Sequence, residues 1–256
     1  MNFSLKSQVN RLVILLVVIF LLAHLFFLVL DTTLDEAIQW LGFPSSIGLL
    51  FERPWTIFSH FLIHLNFAHL MLNVALIYSM GHWLEEEKGS NYFLKIFGMG
   101  ILAGMFCYTL SGQLAWTQDR FLLGGSAGTM AVMGAIWALQ PKRKISFFGI
   151  LIIEVAWLVV IVVLIDLIGI RQGWNVGGHL AHWGGLLLGY ACGKWTMKGR
   201  EFTQGHVHRR PKTDEEFNSE RLEREKKLNA ILDKISRSGF DSLTSKEKDF
   251  LNQQSR

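Results

Sequence analysis

The chain is poor in charge for its length. Charged residues make up 18% of its 256 positions, whereas hydrophobic residues make up 50%, and the mean hydropathy is +0.30. This balance lies far from that of a soluble globular domain, so an ordinary cytosolic protein is disfavoured. The few charges are concentrated in about the last sixty positions. We therefore expect a membrane body followed by a polar tail.

Cysteine is also scarce, and net charge is small. Cys107 and Cys192 each fall within an apolar run, which favours small buried side chains over a disulfide framework or a cysteine-based metal site. The net charge of +4 is explained by basic loops, so no nucleic-acid partner is needed to account for it. We predict no metal and no organic cofactor.

Long apolar runs are abundant. Six of them approach or exceed the roughly twenty residues that a helix needs to cross a hydrocarbon core. The predicted spans are Leu12 to Leu30, Phe67 to Leu84, Tyr92 to Leu110, Leu122 to Leu139, Ile145 to Ile170 and Gly177 to Trp195. The fold class that follows is all-α, a polytopic membrane protein with a six-helix bundle over residues 1–198.

The basic residues predict the orientation of these spans. Lys and Arg are enriched in cytoplasmic loops of membrane proteins. With the N-terminus inside, only Arg53, Arg120 and Arg171 lie in outer loops. The inner set is Lys6, Arg11, Lys88, Lys142, Arg143, Lys144, Lys194, Lys198 and Arg200. Both termini are therefore expected in the cytoplasm.

Residues 199–256 form the polar tail. Apolar residues recur at helical spacing between Leu222 and Ile235, and Gly239 ends the pattern. Thr244 to Glu247 then has the sequence of a capping box, which predicts a short helical hairpin. Its apolar face could dock on the membrane body, bind an unknown partner or pack on itself. We interpret His206 and His208 in the preceding linker as solvated rather than metal-binding.

A serine and a histidine stand out within the apolar body. Ser126 lies between glycines at the start of the fourth span, and His182 lies in the sixth. A serine hydroxyl becomes a good nucleophile only when a base accepts its proton, and imidazole is suited to that role at neutral pH. In the deduced topology both residues lie at similar depth on the outer side, so a shared site is possible.

Further polar residues crowd the start of the second span. His60, His64, His69 and Asn73 fall on the same side as the serine and histidine, and the last two are hydrogen-bond donors one helical turn apart. A lone Gly-x-Ser-x-Gly string is a weak signal, and a single intramembrane histidine is more often a packing residue, as we expect for His24 and His82. The conjunction of all three groups favours acyl transfer within a membrane.

Glycines recur where the helices that carry these groups would meet. Small residues let helix backbones approach closely in lipid. We expect Gly124 and Gly128 on the fourth span, and Gly185 and Gly189 on the sixth, to be helix-packing residues that bring Ser126 and His182 together.

These residues resemble the rhomboid intramembrane serine proteases, most clearly over residues 55–195. Three motifs carry the resemblance in the family's order and spacing: His60-x-x-x-His64-x-x-x-x-His69-x-x-x-Asn73, Gly124-x-Ser126 and His182-x-x-Gly185-x-x-x-Gly189. The resemblance implies a bacterial-type, six-span protease with a cytoplasmic C-terminal extension.

The resemblance also implies roles for single residues. Ser126 would be the nucleophile and His182 the general base and then acid, in a dyad without a carboxylate. His69, Asn73 and the Ser126 backbone amide would form the oxyanion site. Substrates would be membrane proteins with a helix-destabilised transmembrane segment, which reach the site laterally past the fifth span. A water-filled cavity lined by His60, His64, His69 and Asn73 would supply the water for hydrolysis.

Some positions depart from the family's pattern. Met130 stands where some members have a tyrosine, and the family's Trp-Arg pair reads Trp55-Thr56, with Arg53 two residues earlier.

Other polar residues leave choices open. His179 is a rival base, but the glycine spacing favours His182. The fifth span carries Glu154 and Asp166, to which we assign no catalytic role because the family works as a dyad.

Two alternatives belong to other functional classes. A catalytically weak or inactive rhomboid-like module could bind membrane proteins, although such proteins usually lack the serine or the histidine. A proton-coupled transporter could use histidines and carboxylates as a relay, but the two halves of the sequence lack the repeat symmetry expected of one.

Overall fold

The chain divides into two compact units, residues 1–202 and 203–256. The predicted boundary after residue 198 lies just before this division. The computed structural model describes residues 6–30, 33–114, 116, 121–147, 151–203, 214–239, 242–244, 247 and 251.

Helices dominate the described residues, and the predicted all-α class is confirmed. In chain order they are α1 (Gln8–Leu30), α2 (Leu34–Leu41), α3 (Ile47–Glu52), α4 (Thr56–Ser59), α5 (Phe67–Leu76), a π-helical turn (Ile77–Gly81), α6 (His82–Lys88), α7 (Ser90–Gln113), α8 (Ser126–Leu139), α9 (Val155–Gln172), α10 (Val176–Thr203) and α11 (Asp214–Ser238). Two short antiparallel pairings join loops: β1 (Phe43–Pro44) with β2 (Phe121–Leu122), and β3 (Lys144–Phe147) with β4 (Leu151–Glu154).

Several helices are built for an apolar medium. Within the described residues, Gln8–Phe26 of α1, the whole of α7 and the whole of α9 are each long and apolar enough to cross a membrane. The predicted second span is a continuous helical stretch made of α5, the π-helical turn and α6. Side chains that point outward from α1 and α9 are large and apolar, for example Leu21 and Ile165. An apolar outer face is what a lipid-exposed helix requires.

The fifth predicted span is wrong at its start. Ile145 to Phe147 lie in β3 and Leu151 to Glu154 in β4, with Ile145 paired to Ile153, and α9 begins only at Val155. Hydropathy alone does not distinguish an apolar hairpin from the first turns of a helix, and β-branched residues such as these isoleucines favour strands. The fourth span is likewise shorter than predicted, because Leu122 belongs to β2 and α8 starts at Ser126.

Helix α8 lies at the centre of the first unit. Every residue from Ala127 to Ile136 is buried. The neighbouring helices approach α8 through glycines: a Cβ on Gly100 or Gly104 of α7 would overlap the Ala131 or Ala127 side chain. A helix surrounded in this way has little freedom to move, so its first residue is held at a defined depth.

The loop before α8 is tied to the loops of the first half. Phe43 pairs with Leu122 and Pro44 with Phe121 across β1 and β2. The Gly124 amide donates to the His60 carbonyl oxygen at 2.8 Å. These bonds hold the backbone that leads into Ser126.

The second unit contains α11 and a short following segment. The helix ends at Ser238, where Gly239 adopts φ +78° and donates its amide to the Ile235 carbonyl oxygen. Glu247 accepts from the Thr244 amide at 2.7 Å and pairs with Lys234 at 2.9 Å. Most of the predicted second helix, and the linker with His206 and His208, lie outside the described residues.

Candidate active site

Ser126 and His182 meet across two helices. Ser126 is the first residue of α8, directly after Gly125, and His182 lies in the first half of α10. The Ser126 Oγ atom lies 2.9 Å from His182 Nε2, which is hydrogen-bonding distance. The hydroxyl can therefore donate to the imidazole nitrogen that would take its proton.

Glycines make this meeting possible. A Cβ on Gly185 would overlap the Ala127 carbonyl oxygen, and one on Gly189 would overlap that of Ala131. The α8 and α10 backbones are thus in direct contact one and two turns below the pair. A side chain at either glycine would have to push the helices apart.

The other two predicted glycines behave differently. A Cβ on Gly128 would meet the Phe97 ring and carbonyl oxygen, so this glycine packs α8 against α7 rather than α10. The helix-packing prediction does not hold for Gly124, which precedes the helix and has φ +90°. A Cβ there would strike the His69 ring at 2.7 Å. Gly124 supplies a left-handed backbone and room for an imidazole.

An open cavity of about 600 Å³ reaches the Ser126–His182 pair. Its polar lining comes from Asn66, His69, Ser126, Asn175 and His182. Its apolar lining comes from Ile38, Leu65, Phe121, Leu122, Leu123 and Gly178.

The predicted lining is only partly right. His69 lines the cavity, whereas His60, His64 and Asn73 do not and are instead buried. Their hydrogen bonds face the protein: His60 Nδ1 lies 2.8 Å from the Thr56 carbonyl oxygen, and His64 Nδ1 lies 3.3 Å from that of Leu62. Helical periodicity could not reveal this, because both histidines lie in an irregular segment between α4 and α5.

Burial sets the charge of these two histidines, which lie outside the spanning helices. It lowers the pKa of His60 to about 4. It also lowers the pKa of His64 to about 4, with a smaller contribution from the neighbouring His69. Both side chains are therefore neutral at pH 7 and act as structural groups under the site.

His69 and Asn73 lie one turn apart on α5 in different surroundings. The His69 ring packs edge-on against His64, with 5.0 Å between ring centroids, and faces the cavity. Asn73 is buried, donates from Nδ2 to the His69 carbonyl oxygen at 3.0 Å and accepts from the Thr129 hydroxyl at 3.3 Å. Asn73 thus connects α5 to α8 beneath His69.

A carboxylate stands behind His182. Asp166 of α9 is only 2% exposed, and its Oδ1 atom lies 3.0 Å from His182 Nδ1 and 2.6 Å from His179 Nδ1. His182 therefore contacts Ser126 with one ring nitrogen and Asp166 with the other. His179 faces Asp166, which leaves His182 as the histidine beside the serine hydroxyl.

The same three groups are where a metal ion could bind. One ligand atom from each of Asp166, His179 and His182 lies within 4.8 Å of the others. Two imidazoles and a carboxylate suit zinc.

Two residues that line the cavity, Asn66 and Asn175, were not predicted as site residues, although each has a recognisable sequence signal. Asn66 caps α5, and its side chain accepts from the His69 amide at 2.9 Å; an asparagine directly before an apolar run is a helix-start signal. Asn175 has φ +43°, a conformation that asparagine tolerates better than most residues. Its side chain packs against Gly178, where a Cβ would overlap it.

The structure places the residues that depart from the rhomboid pattern, Arg53, Trp55 and Met130. The Arg53 guanidinium lies 4.5 Å above the Trp40 ring, and the Trp55 indole donates to the Trp40 carbonyl oxygen at 2.8 Å. These aromatic and cationic groups tie α2 to the segment before α4. Met130 is buried within α8.

With this geometry in view, comparison with known proteins identifies the family. The Rhomboid domain model matches residues 52–199, which is more than half of the chain. The chain belongs to the rhomboid family. It is accordingly an integral, multi-pass membrane protein with a helical rhomboid bundle. A second model, described as a family of unknown function (DUF6576), matches residues 212–256.

Curated relatives of this rhomboid include proteins named "Rhomboid protease GlpG". Those of Yersinia pestis (strain Pestoides F) and Yersinia pseudotuberculosis (serotype O:3, strain YPIII) are each 26% identical to it over 204 residues. The aligned region covers 76% of this chain and 66% of each relative. The rhomboid chain therefore spans just under two thirds of the length of these relatives.

Proposed function

We propose that this protein is an intramembrane serine endopeptidase that cleaves transmembrane segments through an acyl-enzyme on Ser126. The observation that carries the proposal is the 2.9 Å contact between Ser126 Oγ and His182 Nε2 beside an open cavity. Membership of the rhomboid family, and similarity to proteins named rhomboid proteases, support it.

The first half of the reaction uses both members of this pair. Ser126 Oγ attacks the scissile carbonyl carbon while its proton passes to His182 Nε2. The tetrahedral intermediate then collapses, the C–N bond breaks, and the departing amine takes the proton from His182. The product is an ester between Ser126 and the N-terminal part of the substrate.

Donors around Ser126 would stabilise the oxyanion of that intermediate. The first amides of a helix have no acceptor within the helix, and Ser126 is the first residue of α8. His69 faces the same cavity. Asn73 supports this arrangement through its bond to the His69 carbonyl oxygen. We propose the Ser126 amide and His69 as direct donors, with Asn73 beside them.

The second half of the reaction needs water. The cavity is open and has several polar lining groups, so it can hold water next to the ester. His182 would remove a proton from that water as it attacks, and Ser126 would leave as the regenerated hydroxyl. A wet cavity therefore makes hydrolysis possible within the thickness of a bilayer.

Substrate choice follows from backbone chemistry. Carbonyl groups inside a helix are hydrogen-bonded and shielded, so the cleaved segment must be one that unwinds easily. We therefore propose membrane-protein substrates with a helix-destabilised transmembrane segment. We propose that the membrane is a bacterial inner membrane. Both termini then lie in the cytoplasm, the orientation that the distribution of Lys and Arg favours.

The alternative function, a proton-coupled transporter with a relay of carboxylates and histidines, has less support than a protease. Glu154 stands at the N-cap of α9, twelve residues before Asp166. At 1.5 Å per residue these carboxylates are about 18 Å apart along the helix, too far for direct proton transfer. Asp166 instead meets two histidines beside a serine.

The proposal is tested by cleavage of a single-span model substrate in liposomes that contain the purified full chain. We expect Ser126→Ala and His182→Ala each to reduce the rate to background. Ser111→Ala and His24→Ala are matched controls, because Ser111 bonds to its own helix and His24 is an exposed residue of α1. Cleavage that survives either site variant, or no cleavage by the unmodified protein of any membrane substrate, would contradict the proposal.

A further inference from the structure

Asp166 is an unusual residue for its position. It is a buried carboxylate six residues before the end of α9, a helix that is apolar from Val155 to Ile165. Ionisable groups inside membranes are costly and are kept where they have a partner and a use. Both described partners of Asp166 are imidazole Nδ1 atoms, and one of them belongs to His182.

We propose that Asp166 is a positioning residue for the reaction, which completes a hydrogen-bonded series from Ser126 through His182 to a carboxylate. This inference rests on the proposed protease function. It replaces the simple dyad expected from the sequence with a three-member arrangement in which Asp166 acts only through His182.

The chemical reason is the tautomer of His182. A neutral imidazole carries one proton, on either Nδ1 or Nε2. A carboxylate can only accept, so Asp166 at 3.0 Å places the proton on Nδ1. Nε2 then keeps its lone pair and faces the Ser126 hydroxyl at 2.9 Å. This is the protonation state in which His182 can act as a base.

A second benefit appears during the reaction. When Nε2 takes the serine proton, His182 becomes an imidazolium, and the adjacent carboxylate stabilises that positive charge. Asp166 is only 2% exposed, so the interaction is stronger than it would be between two groups in bulk solvent. The carboxylate itself exchanges no proton with the substrate.

His179 holds the carboxylate in place. Its Nδ1 atom donates to the same Oδ1 of Asp166 at 2.6 Å. Helix α9 admits the His179 ring at Gly169, where any Cβ would overlap it. We infer that His179 and Gly169 fix the Asp166 rotamer, and that His179 is not a competing base.

The decisive variant is Asp166→Asn, which keeps the size of the side chain. Its amide can donate to His182 Nδ1 and so place the proton on Nε2, where it blocks the base. In soluble serine proteases the equivalent change lowers kcat by about 10⁴. We expect a fall in kcat of about 10² to 10⁴, with KM changed less than about threefold, because Asp166 does not touch the substrate.

Controls separate positioning from folding. Glu154→Gln alters the other carboxylate of the predicted fifth span and should leave kcat near that of the unmodified protein. The tautomer is read directly by ¹⁵N NMR of histidine-labelled protein in detergent. We expect His182 to carry its proton on Nδ1 in the unmodified protein and on Nε2 in Asp166→Asn. A merely structural role for Asp166 would leave the tautomer unchanged.

A bound metal is a distinct outcome, because Asp166, His179 and His182 could also ligate zinc. Metal on His182 Nδ1 would exclude the proton that the proposal places there. We therefore expect EDTA to leave the rate unchanged, and a rate that depends on the chelator would overturn the proposal.

The outcomes also distinguish this inference from the proposed function. If the unmodified protein cleaves and Ser126→Ala does not, the protease function stands. An Asp166→Asn protein with unaltered kcat and an Nδ1-protonated His182 would then overturn the positioning role alone. An unmodified protein that cleaves no substrate would contradict the protease function itself, while the NMR measurement would still test the tautomer.

Discussion

Single polar residues of the site are each held by a small number of specific bonds. Ser126 bonds to His182, His182 to Asp166, and Asn73 to both the His69 carbonyl oxygen and Thr129. Asn73 and Asp166 are buried, so the loss of a partner there leaves a buried polar group unsatisfied, which costs about 1–3 kcal/mol. Substitutions here are therefore expected to have large effects.

The proposed oxyanion donors make one prediction at this scale. His69→Ala removes a donor that faces the cavity, and we expect kcat to fall by about 10² to 10³, with KM little changed. Asn73→Ala should give a partial loss. The measurement is steady-state cleavage in liposomes. Equal kcat values for the His69 variant and the unmodified protein would show that the oxyanion is stabilised elsewhere.

A second prediction concerns pH and His60. Its pKa is about 4 in the folded protein, because of burial, and 6.5 when unperturbed. Between these values the unfolded state binds more protons, so stability is fully present above pH 6.5 and is lost as pH falls towards 4. The full shift corresponds to about 3 kcal/mol.

Denaturant titration in detergent at pH 7.5 and pH 4.5 measures this effect. His60→Gln should show a smaller difference between the two pH values than the unmodified protein. His24→Gln, at an exposed position, is the control and should retain the full difference. An identical pH dependence in His60→Gln and the unmodified protein would contradict the role given to His60.

At the scale of helices, the site depends on how closely α8 and α10 approach. Gly189→Val would force its side chain into the Ala131 carbonyl oxygen and separate the helices. Overpacking of this kind costs about 1–3 kcal/mol, and a hydrogen bond one to two turns away cannot keep its length. We expect cleavage to fall at least about tenfold.

Gly98 of α7 offers the matched control for this change. A Cβ there would meet nothing within 4 Å, so Gly98→Val should cleave as the unmodified protein does. The comparison uses cleavage rate and thermal stability in detergent. If Gly189→Val were as active as Gly98→Val, close packing of α8 on α10 would not be what positions the pair.

Helices and their packing were partly predictable from sequence. The Gly185 and Gly189 spacing predicted the contact with α8, because small residues at a four-residue interval form one smooth face. The pairing of β3 with β4 was not predicted, because apolar content does not specify backbone conformation. The contact between Asp166 and His182 could not be predicted from the sequence, because it depends on how α9 and α10 are rotated relative to each other.

At the scale of the whole chain, the site and the tail belong to separate units. Every residue of the candidate active site lies within residues 1–202, and the Rhomboid match ends at residue 199. The tail beyond it matches a different family model. Charge density in the sequence also rises abruptly where the apolar spans end.

Truncation tests the independence of the two units. A variant that ends at residue 210 should cleave a model substrate with kcat/KM within about twofold of the full chain, because separate units fold around their own cores. Full-length protein in the same liposomes is the control. A variant that folds yet loses activity would show that the tail contributes to the site.

The most direct measurement is mass spectrometry of the protein after treatment with a fluorophosphonate, which reacts covalently with activated serine hydroxyls. The geometry predicts a single adduct, on Ser126, that forms at a rate at least about tenfold lower in His182→Ala. An unlabelled Ser126, or equally fast labelling without the His182 imidazole, would contradict the activation of Ser126 by His182.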